Sequence, residues 1–257
     1  MYGRGSQLGF GPPVTPDIIK TLLIANGLVF IAQIATAGRG IDVTDLGVVA
    51  PINVWLELQI WRPFTYMWLH SIGSPLHIIF NMLMLWMFGS PLALVWGDQR
   101  FLRYYLVCGV GAGVLIATMP FVPYLVGFSD YIINMPTLGA SGAVMGIMIA
   151  YSFTWPDRTI MLLFPPMPIK AFWLVPLILA MDFLIGPSNV SHVGHAGGAL
   201  VGWIYLVREG RTPGAPTLQS LKHRWKRYRM RQRIRVAHDE ERRKRWEDER
   251  RGPPSFH

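Results

Sequence analysis

Six long apolar blocks, nearly free of charge, set the first limit on what this chain can fold into. They cover residues 18–37, 75–96, 101–119, 137–154, 169–185 and 192–207 of 257. Each approaches the ~20 residues that carry an α-helix across a bilayer. In hydrocarbon only helices and closed barrels satisfy their own backbone. Charged residues make up only 15% of the chain, against about a quarter in soluble domains. The expectation is an all-α membrane protein, a six-transmembrane-helix bundle.

The net charge of +9 does not indicate a nucleic-acid binder, because it is not spread over the chain. Of the 24 Lys and Arg, 16 lie from Arg208 onward beside 7 of the 15 acids, so this tail carries the whole excess and the body before it is neutral. Such a tail belongs on the cytoplasmic side of a membrane, where it can also meet anionic lipid. Three regions follow: a Gly/Pro-rich leader over 1–16, expected to be flexible; the six-span body over 17–208; and a basic, helical cytoplasmic tail over 209–257. The leader has no apolar stretch of the signal-peptide kind. Cys108 is the single cysteine, so no intrachain disulfide can form.

Charge in the loops sets an orientation. Arg100 and Arg103 flank the second and third blocks, Arg158 and Lys170 the fourth and fifth, whereas loops 120–136 and 186–191 contain neither Lys nor Arg. Both termini are therefore expected inside. A bacterial plasma membrane is the expected home, since no organelle-targeting presequence is apparent. Loop 38–74 breaks the pattern with Arg39 and Arg62. Its stretch "INVWLELQIWRPFTYMWLH" is too polar to span, yet it carries Trp55, Trp61, Tyr66 and Trp68. Those residues favour the headgroup zone, so a partly helical element lying in the outer interface is expected.

Polar groups inside spans are costly and tend to be functional. His77 and Asn81 lie in the second block, Ser141 in the fourth, Asp182 in the fifth, and His192 and His195 open the sixth. In the orientation above, His77, Ser141, Asp182 and His195 fall near the outer edge, at one depth. Gly142, Gly146 and Ala150 recur every four residues in the fourth block, as Gly194, Gly198 and Gly202 do in the sixth. Small residues at that interval let helix backbones approach closely in lipid. If the two seams meet, Ser141 and His195 come within reach of a hydrogen bond, the minimal arrangement for an activated nucleophile. His77 and Asn81, one turn apart on one face, could donate to an oxyanion, as could the Ser141 N–H at its helix start. Each piece alone also has a plain structural use. A serine among glycines can simply pack, a histidine and an asparagine can bond across helices, Asp182 can cap or tether its span, and His192 can be an entrance residue.

Together these residues resemble the rhomboid intramembrane serine proteases, over about residues 17–208. "GASG" at 139–142 matches the family's Gly-x-Ser-Gly motif, "HAGG" at 195–198 its last-helix histidine motif, "HIIFN" at 77–81 its His-x-x-x-Asn, and "WR" at 61–62 its Trp-Arg pair. The resemblance implies Ser141 as nucleophile, His195 as general base and acid, and His77 and Asn81 as oxyanion donors. It implies hydrolysis of a peptide bond in or near the transmembrane segment of another membrane protein, with no metal and no cofactor. The family works with a serine–histidine dyad, so no acid is assigned to orient His195. One position departs: where many members carry an aromatic residue four places after the serine, this chain has Met145, whose thioether can still pack on an imidazole. The alternative is an inactive relative that binds or escorts membrane clients. Such relatives usually lack the serine or the histidine, and this chain has both.

Overall fold

The computed structural model describes residues 11–127, 131–162, 166–185, 192–210 and 230. The chain divides into two compact units, Met1–Leu206 and Val207–His257. The architecture below belongs to the first. Of the second, only residues 207–210 and 230 are described, so the expected helical tail lies outside the described residues.

Helices dominate. In chain order they are α1 (Asp17–Thr36), the short α2 (Val43–Gly47), α3 (Pro51–Trp55) and α4 (Arg62–Thr65), then α5 (Pro75–Trp96), α6 (Asp98–Thr118), α7 (Phe121–Leu125), α8 (Tyr131–Asn134), α9 (Ser141–Thr154), α10 (Leu174–Ile185) and α11 (His192–Glu209). Among the described residues, Asp17–Thr36, Pro75–Trp96 and the run Asp98–Leu125 are long and apolar enough to cross a membrane, and Ser141–Thr154 and Ala171–Leu184 are shorter apolar helices. Exposed Ile24, Leu28, Ile31 and Ile34 make a stripe along α1, and Leu76, Ile79, Leu94 and Val95 are exposed near the two ends of α5. In water such patches would be a liability, and in lipid they are the solvent-facing surface. α5 starts on Pro75 at a position needing no N–H, and Gly97, at φ +79°, turns the chain directly into α6.

α9 is the central helix. Ten of its 14 residues are buried, and it packs on α5, α6 and α10. A helix apolar all round belongs in the middle of a bundle. The seams expected on α9 and α11 do meet: a Cβ added at Gly198 would lie 1.9 Å from the Gly142 carbonyl oxygen, and one at Gly202 would lie 2.9 Å from the Gly146 Cα. Tyr104 on α6 donates its hydroxyl to the Gly146 carbonyl at 2.7 Å.

Three details depart from the sequence reading. α9 begins at Ser141 rather than at 137, because Thr137 is bridged to Val49 and the Gly139 N–H is bonded to the Tyr66 carbonyl outside the helix. Between the fourth and fifth apolar blocks the chain forms an antiparallel hairpin, β1 (Thr159–Met161) with β2 (Pro168–Lys170), in the register Ile160 opposite Ile169. Loop 38–74 is partly helical, with Trp55 and Trp61 exposed, yet it also enters the core. Tyr66, expected at the interface, is 1% exposed and donates to the Gly109 carbonyl at 2.8 Å. The leader is anchored at its end, where Thr15 accepts from the Trp86 indole at 2.8 Å. Residues 1–10 lie outside the described residues.

Candidate active site

The residues in front of Ser141 are held by the loop. Val49 and Thr137 exchange both backbone hydrogen bonds, at 2.9 and 2.8 Å, and the Gly139 N–H donates to the Tyr66 carbonyl at 2.9 Å. The loop is itself clamped: Arg62, 6% exposed, donates to the Val48 carbonyl and to Gln59, and the Trp61 indole donates to the Leu46 carbonyl. Gly139 sits at φ +129°, and a Cβ there would lie 2.9 Å from the His77 ring. Only glycine satisfies both the backbone and the contact. The chain then enters α9 at Ser141, whose N–H has no partner within its own helix, as in any first turn.

On the opposite wall, the Gly142–Gly198 approach brings the start of α11 to the start of α9. Two histidines of α11 turn toward α10. His195 Nδ1 and His192 Nδ1 each lie 3.0 Å from the same Asp182 oxygen, and Asp182 is almost wholly buried. The Phe183 ring stacks on His192 with centroids 4.9 Å apart. An ionised carboxylate at Asp182 can only accept, and each Nδ1 then carries the hydrogen. In the neutral ring, His195 Nε2 is left with its lone pair, which is what a general base needs.

His77 has the opposite tautomer. The Ser71 N–H points at His77 Nδ1 at 3.3 Å, so that nitrogen accepts and Nε2 bears the hydrogen. Asn81 uses one amide hydrogen on the His77 carbonyl at 2.8 Å, and the second remains. Behind His77 stands His70, fully buried, with ring centroids 5.3 Å apart. Gln33 of α1 grips the His70 backbone on both sides, accepting from its N–H at 2.8 Å and donating to its carbonyl at 3.0 Å. Burial, and then the neighbouring His77, push the His70 pKa down to about 4.

Ser141, His195, His77 and Asn81 all line one cavity of about 680 Å³, with Met84, Val144, Met145, Met148 and Ile178 as its apolar wall. Met145, 4% exposed, lies where the family resemblance calls for an aromatic residue. The four sequence-derived residues are thus brought together. His192 is the first residue of α11, with its side chain 34% exposed and bonded to Asp182. Sequence reasoning missed Gln33 as a support, although an amide inside an apolar block was the available signal.

The matched family model is the Rhomboid domain, over residues 57–211. The chain belongs to the rhomboid family. Rhomboid relatives include the presenilin-associated rhomboid-like protein, mitochondrial, of Bos taurus, 34% identical over 139 residues, covering 52% of this chain and 34% of the relative. Rhomboid protease GluP of Bacillus subtilis (strain 168) is 33% identical over 143 residues, 56% of this chain and 25% of GluP. RHOMBOID-like protein 12, mitochondrial, of Arabidopsis thaliana is 34% identical over 151 residues, 52% of this chain and 43% of the relative. The match therefore spans less than half of each of these rhomboid relatives. All four candidate residues fall inside the matched domain.

Proposed function

We propose that this rhomboid protein is an intramembrane serine endopeptidase. The observation that carries the reading is that Ser141, His195, His77 and Asn81 line one cavity, with Asp182 on His195 Nδ1 and the Ser71 N–H on His77 Nδ1. An ionised Asp182 then leaves His195 Nε2 a lone pair, while His77 Nε2 carries an N–H. A base and an oxyanion donor are what acyl transfer requires of the two rings.

In the proposed reaction His195 Nε2 takes the Ser141 proton as Oγ bonds to the scissile carbonyl carbon. The oxyanion is held by His77, Asn81 and the Ser141 N–H. The C–N bond then breaks, and the proton passes from His195 to the leaving amine. Water, deprotonated by His195, attacks the acyl-enzyme, the ester C–O bond breaks, and His195 returns the proton to Ser141 Oγ. The residues require neither a metal nor a cofactor for these steps. Substrates are transmembrane segments of other membrane proteins. A helix has all its carbonyls in hydrogen bonds, so the cut falls where small or helix-weakening residues let it open.

The six-span arrangement belongs to this proposal. α1, α5, α6, α9, α10 and α11 are the crossings, with the cavity on the outer side and the loops bearing Arg100, Arg103, Arg158 and Lys170 on the inner side, the cytoplasmic face in a bacterial plasma membrane. The basic segment from Arg208 would then contact anionic lipid.

The test is cleavage of a single-span substrate in liposomes by wild type, Ser141→Ala and His195→Ala, each with and without chelator. Cleavage by wild type alone, indifferent to chelator, is the expected result. Cleavage that survives Ser141→Ala would sink the mechanism, and well-folded wild type that binds substrate without cutting it would indicate the inactive, escorting relative.

A further inference from the structure

We infer that Asp182 is a positioning residue for His195, holding the general base of the serine–histidine pair from behind. The inference rests on the reading of Ser141 and His195 given above. Asp182 is the one charged residue of α10, and its side chain is 7% exposed. A carboxylate in an apolar span costs several kcal/mol unless its oxygens are bonded. Here one oxygen accepts from two imidazoles, at 3.0 Å each.

The consequence for His195 is a fixed tautomer and a fixed ring. A neutral imidazole with no partner divides its proton between Nδ1 and Nε2 and can rotate. A carboxylate on Nδ1 allows only the form whose Nε2 is free to receive the Ser141 proton. As that proton arrives, the imidazolium stays bonded to Asp182 through Nδ1–H, and Asp182 remains ionised. The proton then leaves from Nε2 to the departing amine, so Asp182 neither gains nor loses one. Asp182 from α10 is bonded to His195, and Ser141 and Met145 from α9, His77 and Asn81 from α5 and Ile178 from α10 line the same cavity. Among these described neighbours, Asp182 is the one anionic group. His192, one turn before His195 and stacked on Phe183, donates to the same oxygen and so steadies the carboxylate.

The competing role is a tether that only joins α10 to α11, and the experiment separates the two. Full-length protein in liposomes is assayed as wild type, Asp182→Asn, Asp182→Leu and Asp182→Glu, beside Ser141→Ala and His195→Ala. Nitrogen-15 NMR of labelled histidines, with His195→Gln for assignment, reads the His195 tautomer with or without activity. Expected are an Nδ1-protonated His195 in wild type, a mixture in Asp182→Leu, and a fall in kcat of about 10²–10⁴-fold in Asp182→Asn and Asp182→Leu. KM should change less than about threefold, because no substrate contact is removed, and Asp182→Glu should recover part of kcat. A His195 tautomer that does not depend on Asp182, or kcat within about threefold of wild type in Asp182→Leu, overturns the inference. So does a joint loss of thermal stability, KM and kcat with the tautomer unchanged, which is the tether. Activity surviving Ser141→Ala instead overturns the underlying reading.

Discussion

His70 shows how a residue outside the chemistry can shape the site. Its ring is fully buried behind His77, and Gln33 holds its backbone from α1. Burial lowers its pKa from an ordinary 6.5 to about 4. The folded ring therefore stays neutral while the unfolded chain takes up a proton below about 6.5. Stability should fall as pH drops through the window from 6.5 to about 4, because the unfolded state then binds more protons. In His70→Phe the ring volume is kept, the backbone bonds to Gln33 do not depend on the side chain, and the titration is gone. Thermal unfolding in detergent between pH 7 and 4 should lose part of its acid slope in this variant; an unchanged slope would mean that His70 is already charged in the fold. At the same scale Gly139 needs both its φ and its missing Cβ, and only the second has a partner that can be named, His77.

Among the elements, the α9–α11 contact governs the geometry of catalysis in the proposed reading, since it sets the distance from Ser141 to His195. A methyl at Gly198 would meet backbone of Gly142, and backbone cannot swing aside as a side chain can. Gly198→Ala should force the helices apart, cost on the order of 1–3 kcal/mol or more, and abolish cleavage. Gly27 on α1 has nothing within 4 Å of the same added atom, so Gly27→Ala should be neutral or slightly stabilising. Comparing the two for melting temperature and turnover separates a packing effect from a general intolerance of larger residues. Equal behaviour of the pair would show that the small-residue seam is not what sets the site. The loop from Gly47 to Tyr66 belongs at this scale too, because it holds the strand-like segment ahead of Ser141 through Val49 and Tyr66.

For the molecule as a whole, the short α9 raises a question of reach. Fourteen residues at ~1.5 Å per residue give a helix of about 21 Å, less than the ~30 Å hydrocarbon core. In the proposed six-span reading, the residues before it, tied to the loop through Thr137 and Gly139, complete the crossing with non-helical backbone. Such backbone is tolerated at depth only where protein surrounds it. The orientation follows from cysteine labelling. Cys108 is fully buried and should stay silent, whereas Val126 is 73% exposed and the Asp157 side chain 89% exposed, on either side of α9. An impermeant maleimide on sealed right-side-out vesicles should label Val126→Cys at once and Asp157→Cys only after permeabilisation. Labelling of both from the same side would remove α9 as a crossing.

The sequence by itself determined the membrane class, the long apolar helices, the small-residue seam and the grouping of Ser141, His195, His77 and Asn81 as one candidate set. Those signals are local: apolar run length, a four-residue interval, and motifs a few residues long. Only the tertiary structure decided that Asp182 faces both His192 and His195, that the Ser71 N–H meets His77 Nδ1, and that Tyr66 turns inward while Trp61 stays out. Each of these depends on which faces of separate helices and loops come together. That is settled by backbone approach at glycines and by the need to bond every buried polar group, neither of which is written in any short stretch of the chain.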